Sequence, residues 1–161
     1  MAEDQKTRDA HVARIYVDGV FDLFHPGHVA FLRKARGVCD GPARLVVGVI
    51  TDGDAAWKRR PVMTHAERVA MVRSCREVDE VVEEPPLVLT PQFLEDLRLD
   101  YVVHGDDDRQ ERYFGAAIAR GIMRYVPYTA GVSTTDLIRR AFAFELARLT
   151  AATGAPAAAP E

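Results

Sequence analysis

Tyr16-Val17-Asp18-Gly19-Val20-Phe21-Asp22-Leu23-Phe24-His25-Pro26-Gly27-His28 carries an apolar strand through a tight turn into the start of a helix. Pro26 suits the first helical position, where its missing N–H costs nothing and its fixed φ is already helical. Two imidazoles and a side-chain-free backbone therefore sit at the positive end of a helix dipole, which suits a polyphosphate. His25 and His28 are three apart and share a helix face. Two surface histidines or a metal pair would have the same spacing. A zinc pair wants further Cys, His or carboxylate ligands at fixed spacing, and none lies in this segment. Gly27 between the rings lets a ligand approach the backbone closely. The pattern favours phosphate binding.

Outward from this stretch, strands and helices alternate. Strands are expected at 15–17, 44–50, 78–82, 100–104 and 122–126, each a short apolar run. Helices are expected at 26–38, 64–75, 90–97, 111–120 and 133–149. Thr64 with Glu67, and Ser133 with Asp136, have the spacing of capping boxes. Residues 51–63 read as a polar loop, 106–108 as an acidic loop. The alternation predicts an α/β fold: a Rossmann-like, doubly wound, parallel five-stranded sheet in a single domain. Ligands of such sheets lie beyond the carboxyl ends of the strands. The polar motifs fall at those ends. Residues 1–13 are read as a flexible arm, 14–150 as the domain and 151–161 as a disordered Ala/Pro tail.

With 161 residues, 48% apolar and 28% charged, the chain has the composition of an ordinary globular domain. A net charge of −3 offers no general basic field for nucleic acid. The start of the chain lacks the apolar stretch of a secretory signal, and no run approaches the ~18 apolar residues of a membrane span. Cys39 and Cys75 fit reduced thiols. A cytoplasmic protein with no nucleic-acid or membrane partner is expected. Its Ala- and Val-rich, Arg-for-Lys composition suggests a G+C-rich genome.

At this point the sequence is identified as resembling a family. His25-Pro26-Gly27-His28 matches the HxGH signature of the nucleotidylyltransferases. The stretch 17–25 resembles the opening of the cytidylyltransferases for phosphocholine, phosphoethanolamine and glycerol 3-phosphate. Arg76-Glu77-Val78-Asp79-Glu80-Val81-Val82 is similar to their RxVDEVV stretch. Val103-His104-Gly105-Asp106-Asp107 is similar to their VHGxD loop, and Gly131-Val132-Ser133-Thr134-Thr135-Asp136 to their GISTT helix start. The resemblance covers roughly residues 15–140 in order.

The resemblance implies CTP, with Mg2+, lying across the strand ends. His25, His28 and Lys58 would be the catalytic residues, the histidines donating to phosphates and Lys58 bridging the α-phosphate and the incoming oxygen. Gly19, Val20, Phe21, Asp22 and Gly27 would line the nucleotide site from the first turn. His104, Gly105 and Asp107 would do so from the acidic loop, with Asp107 accepting from the cytosine amino group. Thr129, Gly131, Val132, Ser133 and Thr134 complete it, the helix-start amides holding the β- and γ-phosphates. Asp22 would orient the histidine region or magnesium. Asp18, Lys58, Leu87 and Tyr128 would face the acceptor. No metal ligand set is assigned. Each residue also has a plainer reading: Lys58 as a solvated lysine, Asp107 as a solvated acid, Ser133 as an N-cap, His104 as a backbone-satisfied strand end. Trp57, Arg68 and Arg76 divide in the same way. Arg76 to Asp79 suggests a homodimer.

Two positions depart from the family. Where it carries Arg-Thr, this chain has Tyr128-Thr129, leaving Arg124 and Arg59 as replacements for the missing cation. After Pro85-Pro86 the family has an aromatic residue; here it is Leu87, which argues against a choline acceptor. The expected reaction is transfer of CMP from CTP to a small phosphonate or phosphate acceptor with release of pyrophosphate. A phosphonate of secondary metabolism is preferred. Glycerol 3-phosphate or phosphoethanolamine cytidylyl transfer, or adenylyl transfer, are the alternatives, and a nucleotide sensor is the non-catalytic one.

Overall fold

In the computed structural model, residues 11–56, 59–106, 111–129 and 131–153 are described. Five strands form one sheet: β1 (Ala13–Gly19), β2 (Ala43–Val49), β3 (Glu80–Val82), β4 (Tyr101–Gly105) and β5 (Met123–Val126). Its order is β3-β2-β1-β4-β5 and every neighbouring pair is parallel. The helices are α1 (Pro26–Arg36), α2 (Asp52–Ala55), α3 (His65–Arg73), α4 (Pro91–Asp96), α5 (Glu111–Ala119) and α6 (Thr134–Thr153). The expected single-domain, Rossmann-like α/β fold is the observed one.

Alternation along β1 sends successive side chains to opposite faces. Ile15 and Val17 join Leu45 and Val47 under α1 and α3, against Leu32, Ala35, Val69 and Val72. Tyr16 and Val46 face the other way, onto Leu94 of α4 and Phe114 and Ala117 of α5. The sheet is thus buried on both sides, which is why its strands read as continuous apolar runs. Gly48 has a steric role here. A Cβ at that position would fall 2.2 Å from the Tyr16 hydroxyl and 3.0 Å from Pro85 Cγ.

The register locates the crevice. β1 pairs with β2 from Ala13 opposite Ala43 up to Gly19 opposite Val49. Against β4 it pairs only at Ile15 opposite Tyr101 and Tyr16 opposite Val102. β1 and β4 part beyond Tyr16, where the strand order reverses, and such a switch point is where open α/β sheets bind ligands.

Besides shifts of a residue or two at element ends, the structure differs from the sequence expectation at 13, 52–55 and 151–153. Residues 52–55, expected in a loop, form the short helix α2, because the Thr51 hydroxyl accepts the Asp54 amide at 3.1 Å. Ala13, assigned to the arm, is the first residue of β1. Residues 151–153, assigned to the tail, continue α6, as expected of Ala-rich sequence once a helix is under way. No helix among the described residues is long and apolar enough to cross a membrane.

Candidate active site

The turn after β1 is held in an unusual backbone shape. Phe21 and Leu23 have φ of 53° and 46°, a left-handed conformation that costs energy for residues with a side chain. Burial of the Phe21 ring offsets this cost. The turn delivers His25 to the N-cap of α1, where its Nδ1 accepts the Gly27 N–H at 3.1 Å. His28, three residues on, accepts the His25 N–H on its own Nδ1 at 3.3 Å. Histidines thus make a capping box, a task Ser and Glu usually share. The two rings stack with centroids 3.8 Å apart. The Phe21 and Phe24 rings lie 5.3 and 5.4 Å from that of His28.

This arrangement sets the proton positions. An Nδ1 that accepts a backbone N–H carries no hydrogen, so each neutral ring has its proton on Nε2. Burial keeps both rings neutral: it lowers the His25 pKa. It lowers that of His28 further, to about 3, with the neighbouring His25 adding to the effect and Asp22 opposing it. Both rings line an open cavity of about 560 Å³ at the strand ends. Each Nε2–H is the donor left for a ligand there.

Asp22 lies between the two left-handed residues and is 4% exposed. Its carboxylate accepts the amides of Val62 (3.0 Å) and Met63 (2.9 Å), and the Arg59 guanidinium sits 3.4 Å away. Its main-chain carbonyl accepts the Thr134 hydroxyl at 3.0 Å. One residue therefore ties the 59–63 segment and the start of α6 to the histidine turn. Arg68, fully buried, braces the same turn by donating to the Val20 carbonyl and to Asp52 (2.7 Å).

The far wall comes from the end of β4, the segment after β5 and the start of α6. His104 donates its Nδ1–H to the Gly105 carbonyl at 3.0 Å, and its ring lies 5.0 Å from that of Phe114. Asp18, across the crevice on β1, has its carboxyl pushed up to about 6 by burial, against the opposing pull of His104 and the Tyr16 hydroxyl. Lys34 reaches over from α1 to the Pro127 carbonyl and the Thr129 hydroxyl, at 2.8 and 2.9 Å, fixing the stretch that enters α6. Ser133 caps α6 by accepting the Asp136 amide at 3.1 Å and donating to its carboxylate at 2.6 Å. Val132, Ser133, Thr134 and Thr135 face the cavity. Two helix starts, α1 and α6, thus converge on one space, and helix starts favour anions.

A family model described as cytidylyltransferase-like matches residues 16–140. The chain belongs to the cytidylyltransferase-like family. It is 45% identical over 133 residues to an ethanolamine-phosphate cytidylyltransferase of Dictyostelium discoideum. It is 41% identical over 135 residues to a probable choline-phosphate cytidylyltransferase of Schizosaccharomyces pombe. In both cases 79% of this chain and 36% of the relative are covered, so the chain spans about a third of the length of these relatives. Among solved structures, a lipopolysaccharide core biosynthesis protein of Thermoplasma volcanium shares the fold, with a TM-score of 0.60 at 21% identity, over 76% of this chain and all of that one.

In this cytidylyltransferase-like domain the cavity is lined by most of the residues expected from sequence: Asp18, Gly19, Val20, Phe21, Asp22, His25, Gly27, His28, His104, Gly105, Tyr128, Thr129, Val132, Ser133 and Thr134. Gly131 and Leu87 are not among the lining residues. Gly131 has φ of 110°, so it shapes the entry to α6 through its backbone. Lys58 and Asp107 lie outside the described residues, as does Trp57. Phe31, Ala55, Pro61 and Thr135 line the cavity without having been assigned to it, and Arg59, named from sequence as a replacement cation, lines it too. The signal for Arg59 and Pro61 was their place beside Lys58; Phe31 looked like any apolar helix residue. Arg124 stacks over the Tyr101 ring and donates to the Gly121 and Met123 carbonyls, and it does not line the cavity.

Proposed function

We propose that this domain transfers CMP from CTP to a small phosphomonoester and releases pyrophosphate. The observation that carries the reading is the pair of backbone-locked imidazoles, each with its proton left on Nε2 and each lining the cavity where two helix starts converge. An acceptor phosphate oxygen attacks the α-phosphorus of CTP in line. The new P–O bond forms as the bond to the β-bridging oxygen breaks, and that electron pair leaves with pyrophosphate. The acceptor is already an anion, so no protein nucleophile is needed. His25 and His28 donate to phosphate oxygens, and the amides at the start of α6 hold the β- and γ-phosphates. These donors act where charge builds in the transition state. Lys58, the remaining catalytic residue of this reading, would bridge the α-phosphate and the attacking oxygen.

Magnesium belongs in this reading with the CTP, held by phosphate oxygens. The Asp22 carboxylate does not fit a magnesium ligand, since both oxygens are taken by loop amides and Arg59. Among the described residues no group of three or more His, Cys, Asp or Glu converges.

For the acceptor, the relatives named for phosphoethanolamine and phosphocholine support a phosphomonoester ahead of the phosphonate expected from sequence. That expectation leaned on Leu87, which does not line the cavity. Asp18, an acid on the wall of an anion site, favours an acceptor that also carries an amine. A homodimer is proposed through the shallow depression formed by Phe24, Val29, Arg33, Met71, Ser74, Cys75, Arg76 and Glu77. Within that segment Asp79 is already tied to Arg36 and to the Leu45 amide, leaving Arg76 as the polar group that faces outward.

The test is CTP, and separately ATP, with a panel of phosphomonoesters and phosphonates, read by phosphorus NMR. A new CMP diester with a phosphomonoester supports the reading. Conjugates with phosphonates alone favour the sequence-based acceptor. ATP preferred to CTP, or no conjugate with any acceptor, overturns the proposal.

A further inference from the structure

Arg59 is the one lysine or arginine among the described residues that line the cavity. Both imidazoles there are held neutral, and Asp18 and Asp22 bring negative charge. A triphosphate entering such a site needs a permanent cation, and the other arginine considered for that role, Arg124, is occupied on the outer edge of β5. Resting on the proposed CTP chemistry, we infer that Arg59 binds the triphosphate by turning from its contact with Asp22.

Three observations support this. The guanidinium is 44% exposed, while the carboxylate it touches is 4% exposed. Their contact is long, 3.4 Å, and the same carboxylate already accepts two backbone amides at 2.9–3.1 Å. The side chain is therefore loosely held, and turning it away leaves no buried acceptor unsatisfied. Asp22 also fixes which phosphates are in reach. Its carbonyl holds Thr134 at the first turn of α6, so Arg59 lies beside the helix start assigned to the β- and γ-phosphates. Guanidinium–phosphate contacts are charge-assisted and can be bidentate.

The experiment is calorimetric titration of the full chain with CTP and with CMP, for wild type, Arg59→Ala, Arg59→Lys and Arg124→Ala. Loss of a charge-assisted hydrogen bond predicts CTP affinity about 10- to 100-fold weaker in Arg59→Ala, with CMP affinity unchanged. Arg59→Lys should recover part of the loss, and Arg124→Ala should match wild type. Arg59→Ala binding CTP as wild type does, or losing CTP and CMP equally, overturns the assignment and leaves the CTP reading standing. A wild type that binds no CTP removes both. Weaker saturation by the acceptor alone, with CTP binding intact, places Arg59 on the acceptor and also overturns it.

Discussion

His28 takes the backbone N–H of His25 on its Nδ1 at 3.3 Å, and the two rings lie nearly parallel, 19° apart. The pair proposed to be catalytic is also the cap of its helix. Tautomer, ring orientation and helix start are fixed by one set of contacts.

His28→Ala removes an Nε2–H proposed to donate to the transferring phosphate. Turnover should fall about 10²- to 10³-fold, the loss typical of one oxyanion donor. The fold should survive with a stability cost of about 1 kcal/mol for the weakened cap. Steady-state CMP transfer beside a urea melt checks both, and turnover like wild type would contradict the role.

Stability should depend on pH through the same ring. Its folded pKa, lowered to about 3, lies below the ordinary 6.5. Between those values the unfolded chain holds a proton that the folded chain lacks, so this group's contribution rises with pH and is lost on acidification. Asp18 acts with the opposite sign: its carboxyl, raised to about 6, stabilises the fold at low pH and loses that contribution as pH climbs through 6. Urea melts at several pH values should therefore show His28→Asn gaining on wild type as pH drops from 7 to 4. Asp18→Asn should gain as pH rises from 4 to 7. Parallel curves for wild type and variant would remove either assignment.

Asp22→Asn should act through the loop and not through magnesium. The substitution weakens the hold on Val62, Met63 and Arg59, so tryptic cleavage after Lys58 and Arg59 should quicken while the global melt changes little. Turnover should fall roughly 10-fold or more, the effect of losing a charged acceptor. The magnesium concentration giving half-maximal rate should stay put. A clear rise in that concentration would restore the carboxylate as a metal ligand.

Gly27→Ala tests the spacing between the helix starts. The new Cβ would lie 2.9 Å from His25 Cε1 and 3.1 Å from the Val132 carbonyl. Both neighbours must shift, moving the ring on one side and the entry to α6 on the other. CTP binding should weaken with helix content unchanged by circular dichroism, and binding equal to wild type would show that the cavity absorbs the methyl group.

The sequence carried the sheet because both faces are covered: runs such as Leu45 to Val49 needed no alternation to be read as strands. The anion site was legible in Pro26, Gly27 and the capping spacing of Ser133 and Asp136. Other features depend on distant contacts. From sequence Asp22 fitted either orienting the histidine region or holding magnesium, and only the amides of Val62 and Met63, forty residues away, show what its carboxylate binds. Arg59 and Arg124 were equivalent as sequence, and only the fold sends one into the crevice and the other along the edge of β5. The helix at Asp52–Ala55 escaped because one turn gives no periodicity.

The neutrality of the two imidazoles has a kinetic consequence. Among the described residues the cavity wall carries uncharged rings, two acids and one tethered guanidinium, which together exert little long-range pull on a polyanion. Capture of nucleotide is then governed by diffusion and orientation, near the ~10⁵–10⁶ M⁻¹s⁻¹ of unsteered encounters. Ionic strength should act mainly on how long the nucleotide stays, and little on how fast it arrives.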